Sequence, residues 1–380
     1  MKKVSFLITF LIVCLLPLPV FSEEVELELS APSAILIEAS TGQVLYEKNI
    51  HDKRPPASVT KVMTMLLVME AIDSGKISMD DTVRCSEKAA SMGGSQIYLE
   101  PGEQMSVRDM LKAVAVASGN DAAAALGEFI AGSLEGFVAM MNERAKELGM
   151  NDTTFVNCNG LDAEGHLTSA YDIALMSKEL ISHPAIFDFT TIWMDSLRGG
   201  EFGLVNTNKL IRFYEGATGL KTGSTGEAKY CLSASAKRSG MDLIAVVLGA
   251  PSSKERFSDA TKLLDYGFAN YAIANSLITD EELGKIKVLK GVKSELRPKI
   301  SGGYNILVKK AKTGDIETKV ELPDEINAPV LADDKIGEVS FYIDGEKIGT
   351  ADITAGENVN KINPFEMFAR LTKQLFYGKS

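Results

Sequence analysis

The chain reads as an α/β layer domain with a helical subdomain, followed by a small all-β domain and a C-terminal amphipathic helix. Three observations lead there. Strand-like segments lie near the start and again after Gly219, with helix-patterned sequence between them, the arrangement of a sheet covered by helices. Around 275–285 the texture changes to short strand-like pieces separated by turn residues. The final pattern, 363–377, is helical and two-faced.

Residues 33–49 form a predicted hairpin: SAILIEA and QVLYEKN are strand-like, and Ser40-Thr41-Gly42 makes the turn. Pro55 and Pro56 break the chain, and a helix is expected from Ser58 to Gly75. Helical pattern returns over 106–148, where Ser106 and Asp109 have capping-box spacing, and over 170–182. After Gly219, KTGSTG leads into KYCLSASAKR, a Ser239-Gly240 turn and MDLIAVVLGA, an antiparallel pair; a helix over roughly 254–271 follows. KIKVLKG, YNILVKKA, ETKVELP, GEVSFYI and KIGTADI supply the strands of the β domain. In the tail, Asn363 can cap and Pro364 suits the first helical position. At 100° per residue Phe365, Phe368, Thr372, Leu375 and Phe376 share one face, and Glu366, Arg370 and Lys373 the other. Such a helix suits a membrane surface or its own protein. The expected units are a leader over 1–22, a first domain over 28–273, an all-β domain over 280–358 and a terminal helix over 363–377.

The leader follows from Lys2 and Lys3 ahead of an apolar run from Val4 to Val20, with cleavage expected after Ser22. Val13 before Cys14 argues against a lipid-modified cysteine. A net charge of −11 argues against a phosphate-backbone binder, which needs a basic face, so no nucleic-acid partner is expected. Beyond the leader, Cys85, Cys158 and Cys231 are odd in number and widely spaced, neither a disulfide framework nor a metal cluster. No metal or organic cofactor is expected. The histidines are only His51, His166 and His183, and no G-x-S-x-G elbow occurs, which disfavours a Ser-His-Asp hydrolase. His166, after a glycine in a polar loop, reads as a loop-ordering residue. Cys231 reads as a small core residue and Trp193 as packing or a groove wall.

The chemistry is concentrated in three short segments. In Ser58-Val59-Thr60-Lys61, positions i and i+3 share a helix face, so the lysine amine reaches the serine oxygen. Serine needs such a base to act as a nucleophile. The amine must be uncharged at neutral pH, which burial and a second nearby cation favour. Ser118-Gly119-Asn120 lies between two helical stretches; its serine can relay a proton and its asparagine can hold a carbonyl. Lys221-Thr222-Gly223 opens a strand, where a cation and a hydroxyl can hold a carboxylate and align an extended peptide. Gly223 would let substrate approach closely. The same tripeptide recurs at Lys312-Thr313-Gly314, between lysine-rich strands and before Asp315, where it reads as a hairpin turn.

Taken in order, SVTK, SGN and KTG resemble the motifs of the penicillin-binding serine enzymes, whose fold is an antiparallel sheet flanked by helices, as in β-lactamases. More narrowly, the chain resembles the low-molecular-weight D-alanyl-D-alanine carboxypeptidases, over nearly its whole length. SQIYLEPGE, NGLDAEGH–TSAYDIA, the β domain and the amphipathic tail all take part. The resemblance implies Ser58 as acylated nucleophile, Lys61 as general base and Ser118 as a proton-transfer aid. It implies substrate binding by Asn120, Lys221, Thr222, Gly223, Ser224 and Arg256, with the N–H groups of Ser58 and Ser224 as oxyanion hole. Implied partners are cell-wall peptides ending in D-Ala-D-Ala, β-lactam antibiotics as inhibitors, and a membrane surface through the terminal helix. The implied location is the outer face of the cytoplasmic membrane or the cell wall. D,D-endopeptidase, transpeptidase and β-lactamase action would use the same site, and a wall-binding protein with a relic site is the non-enzymatic alternative.

Overall fold

A computed structural model describes residues 27–275, 277–301 and 304–377, so the expected leader lies outside the described residues. The expected hairpin forms β1 (Ser33–Glu38) and β2 (Val44–Lys48). Its turn is held by the buried Glu38, whose carboxylate accepts from the N–H and hydroxyl groups of both Ser40 and Thr41. The segments after Gly219 form β3 (Ala217–Thr225), β4 (Lys229–Arg238) and β5 (Met241–Ala250). The five strands make one antiparallel sheet in the order β2-β1-β5-β4-β3. β1 thus pairs with β5 across two hundred residues of sequence, and β3 is left at a free edge.

Side-chain alternation divides this sheet between two cores. Ile35, Ile37, Ile244, Val246 and Leu248 face the helical subdomain. Ala34, Leu36, Leu243, Ala245 and Val247 face the long helix Ser253–Asn270. With both faces covered, the central strands read as near-continuous apolar runs.

The structure departs from the expected helix start at Ser58. Ala57–Thr60 is a 3-10 turn and α1 runs from Lys61 to Asp73. Ala57 sits in the left-handed region at φ 49°, which an α-helix cannot include. The tighter turn eclipses positions three apart, so Ser58 and Lys61 stay on one side. α1 is buried nearly all round, the mark of a core helix.

The helical stretch expected over 106–148 breaks at its functional segment. Val107–Lys112 is helical, with the Ser106 hydroxyl accepting from the Asp109 N–H, and Ala113–Ala117 widens into a π turn. Ser118 turns left-handed at φ 64°, and α2 (Asn120–Ala131) and α3 (Leu134–Glu147) follow. The helix expected over 170–182 is α4 (Ala170–Ile181), and Ser253–Asn270 is α5.

The β region begins before residue 280, because Tyr271–Ala274 pairs with Ile306–Lys309. It contains a four-stranded antiparallel sheet and a three-stranded sheet with one parallel pair, over two small cores. Lys312-Thr313-Gly314 does not form the expected hairpin. It lies in a 3-10 turn, Lys310–Asp315, joining strands of two different sheets. α6 (Pro364–Tyr377) is capped by Asn363, whose side-chain oxygen accepts from the Glu366 N–H. Its Arg370 donates to the carbonyls of Gly291 and Val292, while Phe365, Phe368, Leu371 and Phe376 are exposed.

α5 meets the sheet at Gly267, where an added Cβ would stand 2.5 Å from Leu243 Cδ1 and 2.9 Å from Leu36 Cδ2. Gly267→Val is expected to lower the unfolding free energy by roughly 1–3 kcal/mol through overpacking, read from urea midpoints.

Candidate active site

The site begins with a buried amine. Lys61 opens α1 and is fully buried. Its Nζ lies 2.9 Å from Ser58 Oγ, 2.5 Å from Asn120 Oδ1 and 2.6 Å from the Asn159 carbonyl. Burial lowers its pKa to about 7, against the smaller opposing influences of Cys158 and Asp121. The neutral amine has two N–H groups and one lone pair. The carbonyl oxygens of Asn120 and Asn159 can only accept, so they take both N–H groups. The lone pair is then left for the Ser58 hydroxyl.

Asn120 is anchored at its other end, where Nδ2 donates 2.6 Å to the Gly93 carbonyl. Its first role in the structure is therefore to orient Lys61. Ser118, two residues earlier, has its hydroxyl buried and without a hydrogen-bond partner among the described residues. Asp121 holds the neighbouring loop by accepting from the N–H groups of Ile97 and Leu99.

Edge strand β3 comes up against the Ser58 turn. At Gly223 an added Cβ would stand 2.8 Å from Ser58 N and 2.9 Å from both Val59 N and Pro56 O. The space of the missing side chain is thus taken up by the Ser58 turn; the expected room for substrate at Gly223 is not there. Lys221-Thr222-Gly223 also lies within the strand and does not open it. Lys221 is buried and donates 2.9 Å to the Thr222 carbonyl. Burial, then Lys61, then Arg256 hold its pKa well below the ordinary lysine value. Thr222 Oγ1 bonds Thr207 Oγ1 at 2.7 Å, and Ser224 is exposed at the strand's outer end.

Arg256 braces this strand from α5. Its Nη1 donates to the carbonyls of Gly223 (3.0 Å) and Cys231 (3.2 Å), and its guanidinium lies over Tyr230 and Phe257. Burial lowers its pKa to about 10. The second KTG is elsewhere: Lys312 is exposed and paired with Asp344 and Asp315.

The loop 156–167 closes the site from the other side, and the sequence reading missed its part. Besides the Asn159 carbonyl it carries Gly160, where an added Cβ would fall 1.9 Å from Ala57 O. Gly160 has φ 86°, so its backbone also favours glycine. Across from it Ala57 holds a left-handed conformation that costs an alanine about 1–3 kcal/mol. His166 ties loop and turn together: Nδ1 lies 2.9 Å from Val156 N, and Nε2 lies 2.8 Å from Thr60 Oγ1. This is the loop-ordering role expected for it. His51 and His183 instead pair with Asp152 and Asp73. The signals that could have revealed this loop were its two asparagines and the glycine of NCNGLD.

Cys231 is buried, and burial pushes its thiol up to about 11, as befits a core residue. Trp193 meets Phe213 edge to face and carries the Arg212 guanidinium over its ring. Among the described residues, ligand atoms of Glu70, Glu179 and His183 converge, but Arg144 already donates to both glutamates.

A family model described as D-alanyl-D-alanine carboxypeptidase matches residues 20–252. The chain belongs to this family. A second model, described as penicillin-binding protein 5, C-terminal domain, matches residues 275–361. The D-alanyl-D-alanine carboxypeptidase DacF of Bacillus subtilis is 49% identical over 340 residues, 88% of this chain and 87% of that protein. Penicillin binding protein 5 from Haemophilus influenzae superposes with a TM-score of 0.75 at 31% identity, covering 88% of this chain and 99% of that one. Penicillin-binding protein D2 from Listeria monocytogenes, solved in its ampicillin-bound form, has a TM-score of 0.59 at 37% identity. It covers 64% of this chain and 99% of that one.

Burial lowers the His166 pKa from 6.5 to about 4, so the ring is neutral when folded. The unfolded ring takes up a proton near pH 6.5. Stability owed to the neutral ring is therefore complete above that pH and lost as pH falls from 6.5 toward 4. His166→Gln is expected to flatten the fall in urea midpoint between pH 7 and 4.5.

Proposed function

We propose that this protein is a serine-type D,D-carboxypeptidase that removes the terminal D-alanine from cell-wall peptides ending in D-Ala-D-Ala, through an acyl-enzyme on Ser58. The single observation that carries the reading is the fully buried Lys61 amine, its pKa near 7, beside the Ser58 hydroxyl with both N–H groups occupied elsewhere. Family membership supports peptidoglycan peptides as substrates, β-lactams as acylating inhibitors and an extracytoplasmic location.

In the proposed reaction the neutral amine of Lys61 takes the Ser58 proton as Oγ attacks the carbonyl of the penultimate D-alanine. Negative charge on that carbonyl oxygen meets the N–H groups of Ser58 and Ser224. Ser58 N–H precedes the first donor used inside the turn, Val59 to Pro56, so it is available to substrate. The leaving D-alanine amine needs a proton, and Ser118, with its unpartnered hydroxyl, is suited to pass it from Lys61. Lys221 and Thr222 receive the terminal carboxylate, while the strand edge and Asn120 align the peptide. The contacts of Arg256 with the Gly223 and Cys231 carbonyls support a part in holding the strand and adding positive charge behind it. Water then attacks the ester, with Lys61 again as base.

The four proposed units are the leader over 1–22, a peptidase domain that starts at residue 28 and ends with the helix Ser253–Asn270, a β domain that starts with the strand Tyr271–Ala274, and the terminal helix over 363–377. The exposed Phe365, Phe368, Leu371 and Phe376 support anchoring to the outer face of the cytoplasmic membrane, since an apolar helical face inserts at a bilayer surface. Among the described residues no single helix is long and apolar enough to cross a membrane.

Incubating the purified protein with a D-Ala-D-Ala-terminated pentapeptide should release D-alanine; no release, with labelled penicillin left unbound, would overturn the reading. Lys61→Ala should cut acylation by at least about a thousandfold with the circular dichroism spectrum unchanged. In the wild type acylation should rise about tenfold per pH unit up to pH 7 and level above it, as Lys61 loses its proton. Lys221→Ala should reduce peptide turnover by roughly a hundredfold or more, whereas Lys312→Ala should leave it unchanged. Deleting 363–380 should shift the protein from the membrane fraction to the soluble one with activity retained.

A further inference from the structure

We propose that His166, acting through Thr60, is a positioning residue that aims the Ser58 N–H of the oxyanion hole. The inference rests on the reading of Ser58 as nucleophile and goes beyond it.

The hydrogen-bond directions can be assigned from donors alone. Val156 N–H can only donate, so His166 Nδ1 is the acceptor of that 2.9 Å contact. The ring's proton is then on Nε2, which donates to Thr60 Oγ1 at 2.8 Å. The threonine has one proton left to give, and it goes to the Ala57 carbonyl at 2.8 Å. Ala57, Thr60 and His166 are buried, and only Val156 at the outer end of the chain is exposed.

The last acceptor matters because Ala57 C=O and Ser58 N–H belong to one planar peptide unit. Fixing the direction of the carbonyl fixes the opposite direction of the N–H. The same unit is gripped between Gly160, whose added Cβ would meet Ala57 O and Ser58 N, and Gly223, whose added Cβ would meet Ser58 N from β3. Ala57 is left-handed, so the unit does not hold this orientation by backbone preference. Threonine is placed to supply the restraint, and histidine to keep the threonine proton pointed at the carbonyl. His166 touches neither substrate nor Ser58 and acts through Thr60.

A misdirected oxyanion donor weakens the transition state and not the bound substrate, so the loss falls on kcat. With the purified protein, His166→Phe and Thr60→Val are each expected to lower the acylation rate by labelled penicillin about 10- to 100-fold. Peptide KM should stay unchanged while kcat falls by the same factor. The double variant should be no worse than either single one, because both break one relay. His166→Gln, whose amide offers one acceptor and one donor, should restore the rate to within about threefold of wild type. Wild-type kcat in Thr60→Val, multiplying losses in the double variant, or glutamine no better than phenylalanine would overturn the proposal. If His166→Phe fails to fold, Thr60→Val, which removes a single oxygen, decides alone. Absence of any wild-type adduct at Ser58, checked against Ser58→Ala, would overturn the reading of the nucleophile instead, so the two failures are distinct.

Discussion

The structure depends on keeping one amine dry. Lys61 has surrendered its hydration, and two carbonyl oxygens and a hydroxyl now do what water would do. Burial disfavours its charge, and that same penalty makes it a base near neutral pH. α1 is buried nearly all round, α2 delivers Asn120 and the loop 156–167 delivers the Asn159 carbonyl. The π turn and the left-handed Ser118 end one helix and let α2 start with Asn120 at its first position. These irregularities cluster where the fold must place polar atoms at a buried point, as strained backbone commonly does.

Two further basic side chains, Lys221 and Arg256, are buried beside this amine in a protein whose net charge is −11. Burial lowers the pKa of both Lys221 and Arg256, and Arg256 adds to the lowering at Lys221. Each is held by backbone carbonyls: Thr222 for the lysine, Gly223 and Cys231 for the arginine. A carboxylate arriving there would meet donors already oriented, with little solvent left to screen them. The same lysine-threonine-glycine order at 312–314 has none of these conditions, because its lysine is exposed and neutralised by two aspartates.

Two glycines let distant parts of the chain touch. Gly160 and Gly223 both press on the peptide unit before Ser58, at distances no side chain would allow. The Ser58 turn is therefore shaped by a loop and a strand far along the chain, which carry Gly160 and Gly223. The β region and α6 sit outside this arrangement, and Arg370 fastens the terminal helix to the Gly291 and Val292 carbonyls while its phenylalanines face outward.

Much of this was legible in the residues alone. Alternation and turn residues located β1, β2, β4 and β5, and the three motifs named Ser58, Lys61, Ser118, Asn120, Lys221 and Thr222, because a spacing of three or a strand period depends only on local geometry. Local pattern could not reveal that the Ser58 turn is 3-10, since Ala57 is left-handed at a point where the remote Gly160 packs against its carbonyl. Nor could it reveal that Gly223 makes room for a turn, that Asn159 offers a backbone oxygen, or that Lys312 lies between two sheets. Those are facts about which segments meet. The residue types and their order determined which chemistry was available; the convergence of four remote segments on one desolvated amine was decided only by the tertiary structure, because desolvation is a property of surroundings and not of sequence neighbours.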